Sequence, residues 1–451
     1  MTIDTIRDLG EGLVLRRATP EDRDKLVAFH AAVHSDAGPQ SPDAAVGAWV
    51  RDLMSGGHPT FRPGDFSLVE ETGSGDIVSS LCLISQTWTY DGIPFAAGRP
   101  ELVGTRSDYR RRGLIRAQME LVHQWSAERG ERVLGITGIP HYYRQFGYEM
   151  ALELGGGRAG YGATVPPLEE GQAEPYLVRP AAEADLPSIR PLYEADCRRS
   201  LVSCVWDEAL WRYEIAGMSA DNVHRRQLAV VGTASGEVVG FLAHAHALWG
   251  RTIAALAYEL GPGVSWLAVT PSVVRYLWRT GEAMAARAGK GGLEAFVFSL
   301  GTEHPVYRAF ERRLPRVRPA YAWYLRVPDL PGFLGHVAPA LERRLESSVA
   351  AGHSGELKIS FYREGLRLAF EQGRLAVAER WQPPAEPWRP PPGEQCHAVF
   401  PGLTFLQLLF GYRSLDELEN AFPDLGTYGE EAHVLLDALF PKRASNLWAV
   451  R

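Results

Sequence analysis

One structural plan is written twice in this chain. VLRRATPEDRDKLVAFH (14–30) returns roughly 160 residues later as LVRPAAEADLPSIRPLY (177–193), each reading as a strand, a capping turn and an amphipathic helix. SLVEETGSGDIVSSLCLI (67–84) and LAVVGTASGEVVGFLAHA (228–245) both read as hairpins around a glycine-containing turn. GIPHYYRQFG (138–147) then faces GTEHPVYRAFE (301–311), with Tyr143, Arg144 and Phe146 opposite Tyr307, Arg308 and Phe310. Three pairs in one order predict a duplicated α/β domain, with copies at 1–165 and 166–325 joined through the Gly- and Pro-containing stretch GGGRAGYGATVPPLEEGQAEP.

Beyond residue 325 the pattern changes to an amphipathic helix, short strands such as GELKISF and GLRLAFEQ, and two further helical stretches. This predicts a separate α+β domain over 326–451, in which the proline-rich WQPPAEPWRPPPG (381–393) is a connecting loop. Three domains suit 451 residues, and a hydrophobic share of 45% is enough to give each a core. A net charge of -7 argues against nucleic acid or an anionic membrane as partner. Neither a secretory signal nor a run of ~20 apolar residues is present, so a cytoplasmic protein with no membrane association is expected. The cysteines Cys82, Cys197, Cys204 and Cys396 show no C-x-x-C spacing and no H-E-x-x-H occurs, so no metal is expected.

The copies differ at ELVGTRSDYRRRGLIRAQMELV (101–122). Here a strand ends, arginines cluster around Gly113, and Leu114, Leu121, Val122 and Trp125 fall on one face of a helix. A helix mouth offers unpaired N–H groups and a positive dipole end, glycine lets the backbone approach a ligand, and arginines add full charge. That combination predicts a pyrophosphate cradle, although neither the Walker loop nor the dinucleotide fingerprint is present. The second copy has PSVVRYL (271–277) instead, so the element serves a ligand, not the shared fold.

The run from Val103 to Ile115 resembles the acyl-coenzyme A motif of GNAT N-acetyltransferases, [QR]-x-x-G-x-[GA], with Ile115 in place of the last small residue. Together with YYRQFGYEM, the duplication and the different last domain, the chain resembles the enhanced intracellular survival (Eis) group. The resemblance implies two tandem GNAT-like mixed-sheet domains, the second without cofactor, and a sterol-carrier-protein-like C-terminal domain. It implies acetyl-CoA as cosubstrate, with Val103 and Thr105 on the pantetheine arm and Arg110, Arg111, Gly113 and Leu114 on the pyrophosphate. Tyr143 takes the position of the group's general acid, and the terminal carboxylate, here that of Arg451, its general base. Ending in arginine departs from the group's pattern, and Glu101 is the alternative base, since burial there would raise its pKa. Asp36, Asp43 and Trp49 are candidate contacts for a small-molecule amine such as an aminoglycoside, a polyamine or a lysine-like acceptor. The resemblance also implies a homo-oligomer, trimer or hexamer. A non-catalytic acyl-CoA- or lipid-binding protein is the alternative.

Overall fold

The computed structural model describes residues 5–384 and 396–451, so most of the proline-rich connector lies outside the described residues. The first half runs through β1 (Thr5–Gly10), β2 (Leu13–Arg17), α1 (Arg23–Val33), α2 (Ala44–Met54), β3 (Phe66–Glu71), β4 (Asp76–Tyr90), β5 (Ile93–Thr105), α3 (Leu114–Glu128), β6 (Val133–Ile136) and β7 (Glu149–Leu154). Next come β8 (Gly157–Tyr161), β9 (Tyr176–Pro180), β10 (Val202–Cys204), β11 (Arg226–Thr233), β12 (Val238–Ala245), β13 (Thr252–Leu260), β14 (Ala295–Phe298), β15 (Arg316–Arg318) and β16 (Tyr321–Arg326). The last part holds β17 (Gly355–Ser360), β18 (Gly365–Glu371), β19 (Arg374–Trp381), β20 (Ala398–Val399) and β21 (Gly426–Thr427) with short helices between them. The fold is mixed α/β, as expected.

Local chemistry explains the elements that frame the site. Asp43 caps α2 by accepting from the Ala45 and Val46 amides at 2.9 and 3.2 Å. β4 is buried on both faces because helices cover both: Leu81 and Leu83 pack in the cluster of Leu114, Leu121, Val122 and Trp125 on α3, while Cys82, Ile84 and Trp88 join Leu26, Phe29 and Trp49 of α1 and α2. The helix face read from the sequence is thus the buried face.

The sheets do not divide where the repeat boundaries fall. The first sheet runs β1-β2-β3-β4-β5-β6-β16-β7, with β10 paired to β4, and the second runs β15-β8-β14-β13-β12-β11-β9. Each half sends a strand to the other: β16 sits antiparallel between β6 and β7, and β8 sits antiparallel between β14 and β15. A cut at 165 or 325 therefore severs strands from their own sheets. The Gly-rich stretch expected to be a linker is the crossover, and part of it is β8. Gly155, Gly156 and Gly157 all have positive φ (65°, 87° and 148°), which suits glycine. A β-carbon on Gly156 would press on Ala320 at 3.1 Å, where the two crossings meet, and one on Gly157 would run into the Phe298 carbonyl oxygen.

The third sheet, β19-β18-β17-β20-β21, is mixed, with β17 and β20 parallel. After its last helix the chain returns as an extended tail into the first two layers, where Leu447, Trp448, Ala449 and Val450 are all buried. Among the described residues no helix is long and apolar enough to cross a membrane.

Gly157→Ala adds a methyl group against backbone at a φ that L-residues avoid. We expect it to lower unfolding free energy by about 3 kcal/mol in a urea titration, and to lower the melting of both halves together because the crossing belongs to both.

Candidate active site

β5 and β6 are parallel neighbours at only two positions, Ala97 to Val133 and Gly98 to Leu134. β5 then runs on to Thr105 while β6 ends at Ile136, so the strands part and one edge of β5 is left without a strand partner. On the other side the register with β4 shifts between Ser80 and Cys82, and within that bulge Leu102 is buried with φ 54°. A bulky residue in that conformation is uncommon, and bulges that re-aim a strand recur beside active sites. Nothing in the sequence marks it.

A cleft of about 640 Å³ opens where the strands part, and Val103, Thr105, Arg110, Arg111, Gly113 and Leu114 all line it. Gly113 is the N-cap of α3 with φ 74°, and open space lies where its β-carbon would be. Arg112 is drawn aside by Glu11 at 3.4 Å and by the Tyr109 ring, and Arg106 pairs with Asp108 at 2.7 Å. Arg110 and Arg111 are exposed and lack a carboxylate partner among the described residues, so their charge is left for the helix mouth. Ile115, the departure from the motif, lines the same cleft.

Tyr143 lies behind Tyr142, which lines the cleft. It is 3% exposed, and its hydroxyl has no hydrogen-bond partner among the described residues. Burial first, and the nearby Glu101 charge second, push its pKa up, which keeps the phenol protonated at neutral pH. Its counterpart Tyr307 is tied down: the hydroxyl takes the Leu300 amide at 3.1 Å and faces the carbonyls of Gly301 and Phe298 at 3.0 and 3.1 Å. The shared tyrosine is structural in one copy and uncommitted in the other. Tyr324 of β16 packs on Tyr143 with centroids 5.5 Å apart and reaches the Ile139 carbonyl at 3.4 Å, so the exchanged strand props the tyrosine's loop.

The tail brings Arg451 beside Arg99 of β5. The Val450 carbonyl accepts from Gln86 at 2.9 Å and Arg99 at 2.7 Å, and the Trp448 carbonyl accepts from the Trp206 indole at 2.8 Å. His58 takes the Thr60 amide on Nδ1 at 3.2 Å, so its Nε2–H donates to the Arg451 main-chain oxygen at 3.1 Å. Burial lowers the His58 pKa to about 4.

Glu101 is not the free buried acid expected: the Arg99 guanidinium, 1% exposed, binds its carboxylate and joins it to the tail. Asp43 spends its carboxylate on the α2 cap, and Asp36 is exposed in the turn after α1. Trp49 is buried against His224 at 4.2 Å between ring centroids, within the wall of the tail's chamber. Asp196, Glu259 and His304 converge in the second half, but Arg199 binds both carboxylates and both His304 nitrogens meet backbone groups, so the cluster is already satisfied.

A family profile described as "Acetyltransferase (GNAT) domain" matches residues 14–151, which hold the cleft, Tyr143 and α3. No curated protein matches the sequence. Solved structures do match the fold over nearly the whole chain. A probable N-acyltransferase from Enterococcus faecalis has 14% identity and a TM-score of 0.62 over 96% of this chain and 97% of its own. A GCN5-related N-acetyltransferase from Kribbella flavida has 17% identity and a TM-score of 0.61 over 97% and 98%. Eis1 from Mycobacterium abscessus has 14% identity and a TM-score of 0.58 over 97% and 99%. Residues 14–151 are a GNAT acetyltransferase domain, and the protein is an enzyme of the acyltransferase class.

Proposed function

We propose that the protein is an N-acetyltransferase that moves an acetyl group from acetyl-CoA to a primary amine by direct attack in a ternary complex, as the Eis resemblance implies. The observation that carries this is the parted β5–β6 pair, whose open edge shares one cleft with the arginine-flanked mouth of α3 and with Tyr142, against which Tyr143 packs. The fit is physical: an unpaired strand edge suits the amides of a pantetheine arm, and the open side of Gly113 with two unpaired arginines suits a pyrophosphate.

Acetyl-CoA supplies the thioester. The amine nitrogen forms a bond to the carbonyl carbon, and the C–S bond breaks. The terminal carboxylate of Arg451, steadied by His58, takes the amine's proton, and the Tyr143 hydroxyl gives its proton to the departing sulfur. The Arg99–Glu101 pair aligns β5 with the tail and leaves Glu101 a supporting part. In this reading the second sheet is a GNAT-like copy without cofactor, the last domain is sterol-carrier-protein-like, and the chains assemble as trimers or hexamers. The lipid-binding alternative is weaker. The hollow bounded by Leu330, Phe361, Leu366 and Phe405 is about 100 Å³, small beside the roughly 300–1,000 Å³ of ordinary ligand pockets.

Tyr143→Phe should lower kcat about 10² to 10³-fold with acetyl-CoA affinity unchanged by calorimetry, whereas Gly113→Glu should abolish that binding. If Tyr143→Phe turns over normally, the acid is elsewhere. One glycine added after Arg451 moves the carboxylate without removing a tail contact, and turnover should fall by a similar factor.

His58 gives a pH signature. Its pKa is depressed in the fold to about 4, so below about pH 6.5 the unfolded chain binds a proton that the folded one refuses. The His58 contribution to stability is therefore complete above that pH and is lost as pH falls towards 4. Between pH 6.5 and 5 we expect wild type to lose about 2 kcal/mol more than His58→Gln in urea titrations.

A further inference from the structure

A cavity with an unexplained charge lies at the crossing of the exchanged strands, outside the cleft. Its volume is about 850 Å³, and its walls come from the crossover glycines Gly155 and Gly156, the opposite crossing Arg316–Pro319, and the tail including Trp448 and Arg451. Five arginines and two histidines line it, and no aspartate or glutamate does. Arg226 is neutralised by Glu214, whose carboxylate it meets at 2.8 Å, and Arg225 binds the Met218 carbonyl. Arg316, Arg318 and Arg451 have no carboxylate partner among the described residues.

Arg451 is the telling member. Its guanidinium donates to Nδ1 of His224 at 3.2 Å, which requires that ring to be neutral, and its own carboxylate is turned away to His58. Burial first, and then the Arg451, Arg99 and Arg226 charges, hold His224 far below its usual pKa. His246 is lowered by burial and by Arg225 and Arg287. Glu101 and Glu214 act on Arg451, and Asp221 on His246, from outside the cavity, but no described carboxylate lines it. A sheltered cation without a counter-charge is costly, and a concave cationic wall concentrates potential for an incoming anion. Trp249 and Val317 offer exposed apolar surface beside the arginines, 47% and 64% exposed, so the cavity also suits an organic skeleton. The strand crossing requires the Gly156–Ala320 approach but none of these charges.

We propose that this cavity binds a small organic molecule bearing a carboxylate or phosphate group, held by Arg316, Arg318 and Arg451. The same wall repels polycations. Because Arg451 carries both the cavity's guanidinium and the carboxylate assigned as base, a ligand here abuts the reaction centre. Only the identification of that ligand with the amine acceptor rests on the acetyltransferase reading.

The test is calorimetric titration of citrate, with spermidine as the cationic control, into the full chain. One citrate site per chain at millimolar ligand or tighter, weakened at least tenfold by Arg316→Glu with Arg318→Glu, and no spermidine binding, is the expected result. Arg451→Ala, which keeps a terminal carboxylate, should weaken citrate in the same direction and serves if the double variant fails to fold. Acetyl-CoA titration into the Arg316→Glu, Arg318→Glu double variant checks the fold and stays unchanged. No citrate binding, or binding indifferent to these changes, overturns the proposal. Citrate binding without acetyl-CoA binding instead overturns the acyl-transfer reading and leaves the anion site standing. The source of the anion is separated by CoA release with 6-aminohexanoate against 1,6-diaminohexane. Preference for the acid-bearing amine, lost in the double variant, makes the site the acceptor's; no preference makes it a site for a free anion.

Discussion

The insertion of β16 between β6 and β7 is the contact on which the rest of this structure depends. It closes the first sheet with residues made 185 positions after the end of β6, and it reaches the candidate site through consecutive side chains. Trp323 lies beneath the Arg99 guanidinium and against Trp88, while Tyr324 holds the loop that carries Tyr143. The reverse insertion of β8 commits the second sheet in the same way. Neither half has a complete sheet of its own, so the site is a property of the pair.

The tail is the second dependency, and it explains an otherwise expensive feature. Arg99 is almost wholly buried, a placement that costs several kcal/mol unless the charge is paired and its donors are used. Glu101 supplies the charge and the Val450 carbonyl takes another donor, while Nε has no partner among the described residues. The terminus is thus part of the polar network of β5, and Trp448 anchors it among Tyr193, Trp206 and Trp211.

Periodic and motif-borne features were legible in the sequence. The apolar face of α3 and both repeated hairpins lie where their spacing put them, and the six residues named as cofactor contacts line one cleft. Features set by tertiary context were not. A run of three glycines reads as a linker, and only the approach of Ala320 shows why it must cross there. The Leu102 bulge has no residue-type signature, since leucine is a poor resident of positive φ. Asp43 drew notice as an acid near aromatic residues, yet an aspartate just before a helical run is first of all an N-cap. Glu101 was read without Arg99 because a partner two residues along a strand faces the same way, and the expected burial was weighed without it.

The two halves also show how a duplicated fold separates scaffold from site. Strand order is common to both, β2-β3-β4-β5-β6 matching β9-β11-β12-β13-β14. In the second half, however, β13 and β14 pair at four positions where β5 and β6 pair at two. The remaining edge there is taken by the protein itself: His304 Nε2 meets the Tyr258 carbonyl at 2.9 Å, and Tyr307 spends its hydroxyl on the loop after β14. An edge whose carbonyls are already bonded offers a pantetheine arm nothing to replace. Restoring the arginines and glycine of α3 to the second copy would supply a phosphate cradle but not the open strand below it. The difference between the two halves therefore lies as much in which backbone groups are left unmet as in which side chains are present.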